Sequence, residues 1–127
     1  MPAMNEILLY IGSGIIILWG IAHLIPTKAI VSGFGEISED NKRVITMELI
    51  AEGFTLIFLG VLVILVTSLG EYPGQTADIV YLACAAMLVV MALLTQMTGA
   101  RTAAIWYKIC PYVKTVVAIL LLLGVWL

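Results

Sequence analysis

Long apolar runs of similar length, broken by short polar interruptions, organise this chain. The first run, Ile7 to Ile25, is bounded by Glu6 and by Pro26-Thr27. The second, Val44 to Leu69, stops at Gly70-Glu71-Tyr72-Pro73-Gly74, and the third, Ile79 to Ala100, carries no charged residue. The fourth, Tyr112 to Leu127, is short by itself, but Ala103, Ala104, Ile105, Trp106 and Tyr107 suit an interfacial start of the same helix. Pro111 then marks a kink or the first turn of the spanning part. A helix needs roughly 20 residues to cross the hydrocarbon core of a bilayer. The pattern predicts transmembrane helices over 7–25, 44–69, 79–100 and 105–127, in one domain spanning 1–127.

Helices are expected rather than barrel strands because the runs lack apolar/polar alternation, and a helix satisfies its backbone groups within its own segment. Ser38 is the expected N-cap of the second helix, with Glu39 and Asp40 placed to complement the positive end of its dipole. The linker Pro26 to Lys42 contains Ala29, Ile30, Val31 and Phe34, a composition that can lie at the interface and cover a polar site. Gly33 and Gly35 argue against a long helix there. The middle loop, Gly70 to Asp78, is too short for an external domain. Two consecutive hairpins of similar size are compatible with a pseudo-symmetric bundle.

Composition agrees with this pattern. Hydrophobic residues make up 63% of the chain and charged residues 11%, against about 25% charged in soluble domains. The expectation is an all-α, polytopic membrane protein whose first partner is the lipid bilayer. Nothing in the charge pattern, net -2, points to nucleic acid.

Charge distribution adds orientation. Lys28, Lys42, Arg43, Arg101, Lys108 and Lys114 all fall on the side of the first and third loops, and the opposite side has no Lys or Arg. The positive-inside rule then places both termini outside the cytoplasm. The opening Met-Pro-Ala-Met-Asn-Glu lacks the basic region of a secretory signal, so the first span is expected to be retained in the cell membrane.

Glu48 and Glu52 interrupt the second apolar run, and a carboxylate at membrane depth costs at least a few kcal/mol unless it meets a partner, water or a ligand. Their spacing puts them on one helical stripe with Thr55. The topology brings His23, Gln96, Thr95, Arg101 and Lys114 toward the same leaflet. His23, Glu48, Glu52, Gln96, Arg101 and Lys114 are therefore the candidate ligand- or proton-binding residues. A structural account competes with each of them: Lys114 snorkelling to the interface, Arg101 serving only as a loop cation, His23 packed and hydrogen-bonded. Glu52 bonded to Lys114 or Arg101 in a closed core is what polar glue predicts. His with two carboxylates is a reasonable metal set, but the helical di-iron pattern needs Glu-x-x-His pairs and the chain has one His; a mononuclear site stays open with little support, no metal is assigned and the cofactor stays unknown. Cys84 and Cys110 are expected near opposite ends of their helices, beyond disulfide reach, and read as small apolar residues. Met87 and Met91 read as packing.

Gly12, Ser13, Gly14 and Gly20 thin the first helix, Ala51, Gly53 and Gly60 the second, and Ala83, Ala85, Ala86 and Ala92 the third. Small residues let backbones approach closely in a bilayer. Trp19 lies deep enough to line a pocket.

The run Trp19-Gly20-Ile21-Ala22-His23-Leu24-Ile25-Pro26, a glycine-containing segment, the opening Met47-Glu48-Leu49 and the ending Thr95-Gln96-Met97-Thr98-Gly99 together resemble small four-helix DoxX-like membrane proteins. The resemblance implies the four-span layout and, from some relatives, a quinone or thiol redox context. No Cys-x-x-Cys pair or haem-ligand pattern is present to bring an activity with it. The leading functional expectation is binding or transport of a small polar or membrane-soluble ligand, a cation or a proton. The alternative is a non-catalytic accessory subunit with an oligomeric or membrane-complex partner. An enzyme using Glu52 as acid or base beside His23 ranks third.

Overall fold

The computed structural model describes residues 3–127, so Met1 and Pro2 of the expected retained start lie outside the described residues. Five α-helices follow in order: α1 Met4–Leu24, α2 Thr27–Ser32, α3 Glu39–Leu69, α4 Gln75–Met97 and α5 Ile105–Trp126, with a 3-10 turn at Gly99–Arg101 before α5. α1, α3, α4 (with the 3-10 turn that continues it) and α5 are long and apolar enough to cross a membrane. The protein is an all-α, multi-pass membrane bundle, as the apolar pattern predicts.

The helix ends follow local chemistry. Ser38 takes the extended N-cap conformation and its side chain accepts a hydrogen bond from the Asn41 amide at 3.1 Å. α1 stops at the Pro26 boundary, and the linker folds into the six-residue α2, which ends at Gly33. Gly35 has φ +77°, a left-handed conformation that an L side chain rarely adopts, and this turns the chain toward α3. Pro111 sits inside α5, buried, two turns after its start, so the helix passes through the proline. The helix begins at Ile105, ahead of the apolar run from Tyr112.

α1 packs mainly on α3 and on α5, and α4 packs mainly on α5. α3 and α4 touch little although a short loop joins them. The arrangement is two antiparallel pairs, α1/α3 and α4/α5, joined through α1 and α5. Leu9, Ile16, Leu56, Val63, Tyr81, Leu88, Val117 and Leu121 fill the centre. Leu18, Phe54, Phe58, Leu65, Leu93 and Leu94 stay exposed on the outside, as expected where lipid is the solvent.

Glycines set the α1–α3 distance. A Cβ added at Gly20 would lie 2.8 Å from the Gly53 carbonyl oxygen, and one at Gly60 would lie 2.9 Å from the Ser13 carbonyl oxygen. At the end away from the basic loops, Thr67 donates to the Val63 carbonyl at 2.7 Å and accepts from the Tyr81 hydroxyl at 2.7 Å. The hydroxyl of Thr67 has one hydrogen, so Tyr81 must be the donor in the second bond.

Candidate functional site

The close α1–α3 approach at Gly20 and Gly53 positions the side chains beside it. Trp19 and His23, one turn apart on α1, lean toward Glu52 on α3, while Cys110 and Lys114, one turn apart on α5, close the group from the other side. Thr95 completes it from α4. All four long helices therefore contribute to one cluster near the basic end of the bundle.

Lys114 is fully buried, and its Nζ donates to Glu52 Oε1 at 2.5 Å and to Thr95 Oγ1 at 3.1 Å. Thr95 passes its own hydrogen to the Met91 carbonyl at 2.9 Å. The second carboxylate oxygen, Glu52 Oε2, faces His23 Nε2 at 3.6 Å. At the other ring nitrogen, His23 Nδ1 lies 2.8 Å from the Trp19 carbonyl. A carbonyl has no proton to give, so Nδ1 carries the hydrogen and, in the neutral ring, Nε2 presents a lone pair. Cys110 Sγ lies 3.8 Å from that lone pair and accepts a hydrogen bond from Trp19 Nε1 at 3.2 Å. The Trp19 and His23 rings meet edge to face with centroids 5.7 Å apart.

Of the residues expected from sequence, His23, Glu52 and Lys114 come together and Glu48, Gln96 and Arg101 do not. Glu48 is exposed on α3, Gln96 is exposed near the end of α4, and Arg101 is exposed in the 3-10 turn. Among the described residues, none of these three makes a side-chain hydrogen bond or ion pair. One turn before Glu52 on α3, Leu49 is the buried residue and Glu48, beside it, is turned out. Thr55, expected on the carboxylate stripe, is exposed and bonded to the Ala51 carbonyl of its own helix. Lys114 does not snorkel to the interface, because Glu52 and Thr95 hold it inside. Arg101 is the loop cation that the orientation rule allows.

Two residues of the cluster carry no sequence signal for it. Cys110 reads as a small apolar side chain, and both Cys84 and Cys110 are free and buried. Trp19 was legible as a deep residue but not as a donor to sulfur. The pairing of Cys110 with Lys114 at i, i+4 on α5, facing His23, is the one hint that helical spacing offered.

The Glu52–Lys114 bond is the one that polar glue predicts, yet the core beside it is not closed. A cavity of about 630 Å³ opens between α1, α2 and the α4–α5 connection, lined by Trp19, Ala22, His23, Phe34, Trp106 and Tyr107 among others. Its walls are mostly apolar and aromatic, with the His23 imidazole and the Tyr107 phenol as the ionisable side chains among its lining residues. The α2 linker forms part of the wall through Ile30, Gly33 and Phe34, the covering role expected of that segment. Chemically, the arrangement offers an apolar chamber with a buried nitrogen–sulfur–oxygen cluster at one side. Comparison with protein-family models, curated proteins and solved structures finds no match to this chain.

Proposed function

We propose that this is a binding protein of the cell membrane for a membrane-soluble small molecule, held with its apolar body in the aromatic chamber and its polar end at His23. The observation that carries the reading is the juxtaposition of that chamber with a buried, oriented histidine. Ligand sites are typically concave, about 300–1,000 Å³, and mostly apolar with a few placed polar groups. The volume, about 630 Å³, and the lining both fit that description. Trp19, Trp106, Tyr107 and Phe34 favour a flat ring over a branched aliphatic body, since aromatic pairs gain from offset or edge contacts. The likeness to DoxX-like proteins, some with quinone contexts, makes a quinone the class to try first. Glu52 and Lys114 hold α3 and α5 together around the site, which is the structural share of the polar cluster.

A short-chain probe tests this. Decyl-benzoquinone added to the purified protein in detergent is expected to quench tryptophan fluorescence saturably, because Trp19 and Trp106 line the chamber. Ala22→Phe, which fills the chamber, should remove the saturable part. His23→Leu, which removes one polar contact of about 1.4 kcal/mol, should weaken binding about tenfold. Purely collisional quenching, or saturable quenching unmoved by both substitutions, would sink the reading.

The orientation that goes with it places the basic loops, the cluster and the chamber in the cytoplasmic leaflet. Every Lys and Arg lies at that end of the bundle. A phosphatase fused after Leu127 is expected to be active and a green fluorescent protein fused there to be dark; the opposite pair of results would reverse the orientation.

A further inference from the structure

Three possible ligand atoms converge in the cluster: a ring nitrogen of His23, a carboxylate oxygen of Glu52 and Cys110 Sγ all lie within 4.8 Å of one another. Glu52 is already paired with Lys114, but such a set of nitrogen, oxygen and sulfur atoms gathered in a low-dielectric interior is also one that can hold a metal ion. A proton is the smallest choice, but it does not fit the spacing well. An N–H···O bond spans about 2.7–3.2 Å, whereas Nε2 and Oε2 are 3.6 Å apart. The contact to Sγ, at 3.8 Å, is at the long end of hydrogen bonds to sulfur.

Two of these distances suit ligands around a metal. With bonds of about 2.0 Å to nitrogen and oxygen and about 2.3 Å to sulfur, the separations from Nε2 to oxygen and to sulfur subtend about 125–130° at the ion. A contraction of about 0.3 Å would bring both to the tetrahedral angle, and the carboxylate–sulfur separation, within 4.8 Å, would close to about 3.5 Å on binding. We propose that Cys110, His23 and Glu52 form a three-ligand site for a divalent transition ion of the zinc type.

The surroundings of each ligand support the assignment. Metal-bound histidines usually donate their other ring hydrogen to a carbonyl or carboxylate, and His23 Nδ1 donates to the Trp19 carbonyl. Ligating carboxylates are themselves hydrogen-bonded, and Lys114 takes Glu52 Oε1 while leaving Oε2 free. A thiolate in an apolar interior needs a donor, and Trp19 Nε1 supplies one to Sγ. Each ligand atom thus has an outer partner that orients it without blocking it. Thiolate, imidazole and carboxylate together select zinc-type chemistry: magnesium and calcium avoid sulfur, and copper(I) avoids the carboxylate. On binding, the Cys110 thiol proton leaves to solvent, so Cys110 and Glu52 bring two negative charges to the ion.

The inference extends the binding reading by naming what stands at the polar side of the chamber, and it is tested without the quinone. Co²⁺ added to chelator-treated protein in detergent is expected to bind once per chain, with a thiolate-to-cobalt charge-transfer band that Zn²⁺ abolishes by displacement. Cys110→Ser should remove the band, and Cys84→Ser should keep it. Trp19→Phe retains the ring but removes the donor to sulfur, and should weaken Co²⁺ binding about 10–100-fold with the band still present at saturation. Circular dichroism on each variant separates lost binding from lost folding. Absence of a thiolate band in folded wild-type protein, or a band that survives Cys110→Ser, overturns the proposal. Cobalt absent with quinone bound would defeat the metal alone; quinone absent with cobalt bound would defeat the chamber reading alone.

Discussion

Replacing Glu52 by Leu is expected to destabilise the bundle by about 3–5 kcal/mol, the usual cost of breaking a buried ion pair from one side. The reason is Lys114, which is 0% exposed and would be left with Thr95 Oγ1 as its partner. Against a total stability of about 5–15 kcal/mol, that is a large share. Lys114→Met should cost less, because Glu52 is 27% exposed and retains His23 beside Oε2. The double variant Glu52→Leu with Lys114→Met should recover most of the loss, since apolar groups of similar volume often replace a buried pair without penalty. Unfolding in mixed micelles, followed by tryptophan fluorescence, measures all three. If the single Glu52→Leu change falls within about 0.5 kcal/mol of wild type, the ion pair is not holding α3 to α5. A double variant as unstable as the worse single one would show that the cost lies in side-chain shape rather than in an orphaned charge.

That pair also shows what the apolar pattern of a sequence reveals. Ionisable residues within apolar runs stand out because burying them is costly, and His23, Glu52 and Lys114 were recoverable for that reason. Glu48 meets the same criterion and lies outside the cluster, because a spacing of four residues gives an approximate face of a helix but not which side chain at each turn points inward. At that turn of α3 the buried residue is Leu49, and Glu48 is exposed. Gln96 and Arg101 stood at the expected end of the bundle, but both side chains are exposed there.

Cys110 failed in the opposite direction. A thiol in an apolar helix looks like any small hydrophobic residue, and only the rotation of α5 against α1 reveals that it faces an imidazole. The four spans were legible because length and hydropathy are properties of each segment alone. Which helices touch was not, since α3 and α4 are neighbours in sequence yet make few contacts, while α1 and α5 are far apart in sequence and join the two pairs. The small-residue positions came closest to predicting this, and Gly20, Gly53 and Gly60 do lie in the α1–α3 seam.

The seam should therefore be the most size-sensitive part of the molecule. At Gly20 an added Cβ meets backbone: the Gly53 oxygen at 2.8 Å and the Ile57 nitrogen at 3.0 Å, together with Ile57 Cγ1 at 2.8 Å. Backbone cannot rotate away as a side chain can, so α1 and α3 must separate. Gly20→Ala is expected to cost about 1–3 kcal/mol, the range for overpacking, and Gly20→Val more. Gly14 supplies the control on the same helix, because an added Cβ there meets nothing within 4 Å. Gly14→Ala should be neutral or stabilising by up to about 1 kcal/mol through helix propensity. Separation of α1 from α3 also pulls His23 away from Glu52, so Gly20→Ala should weaken cobalt binding in protein that remains folded. Micelle unfolding and cobalt titration on the same preparations test both effects together. Equal stability of the Gly20→Ala and Gly14→Ala variants would mean that the helices do not meet through Gly20. A destabilised Gly20→Ala variant with wild-type cobalt affinity would mean that the seam does not set the spacing of the cluster.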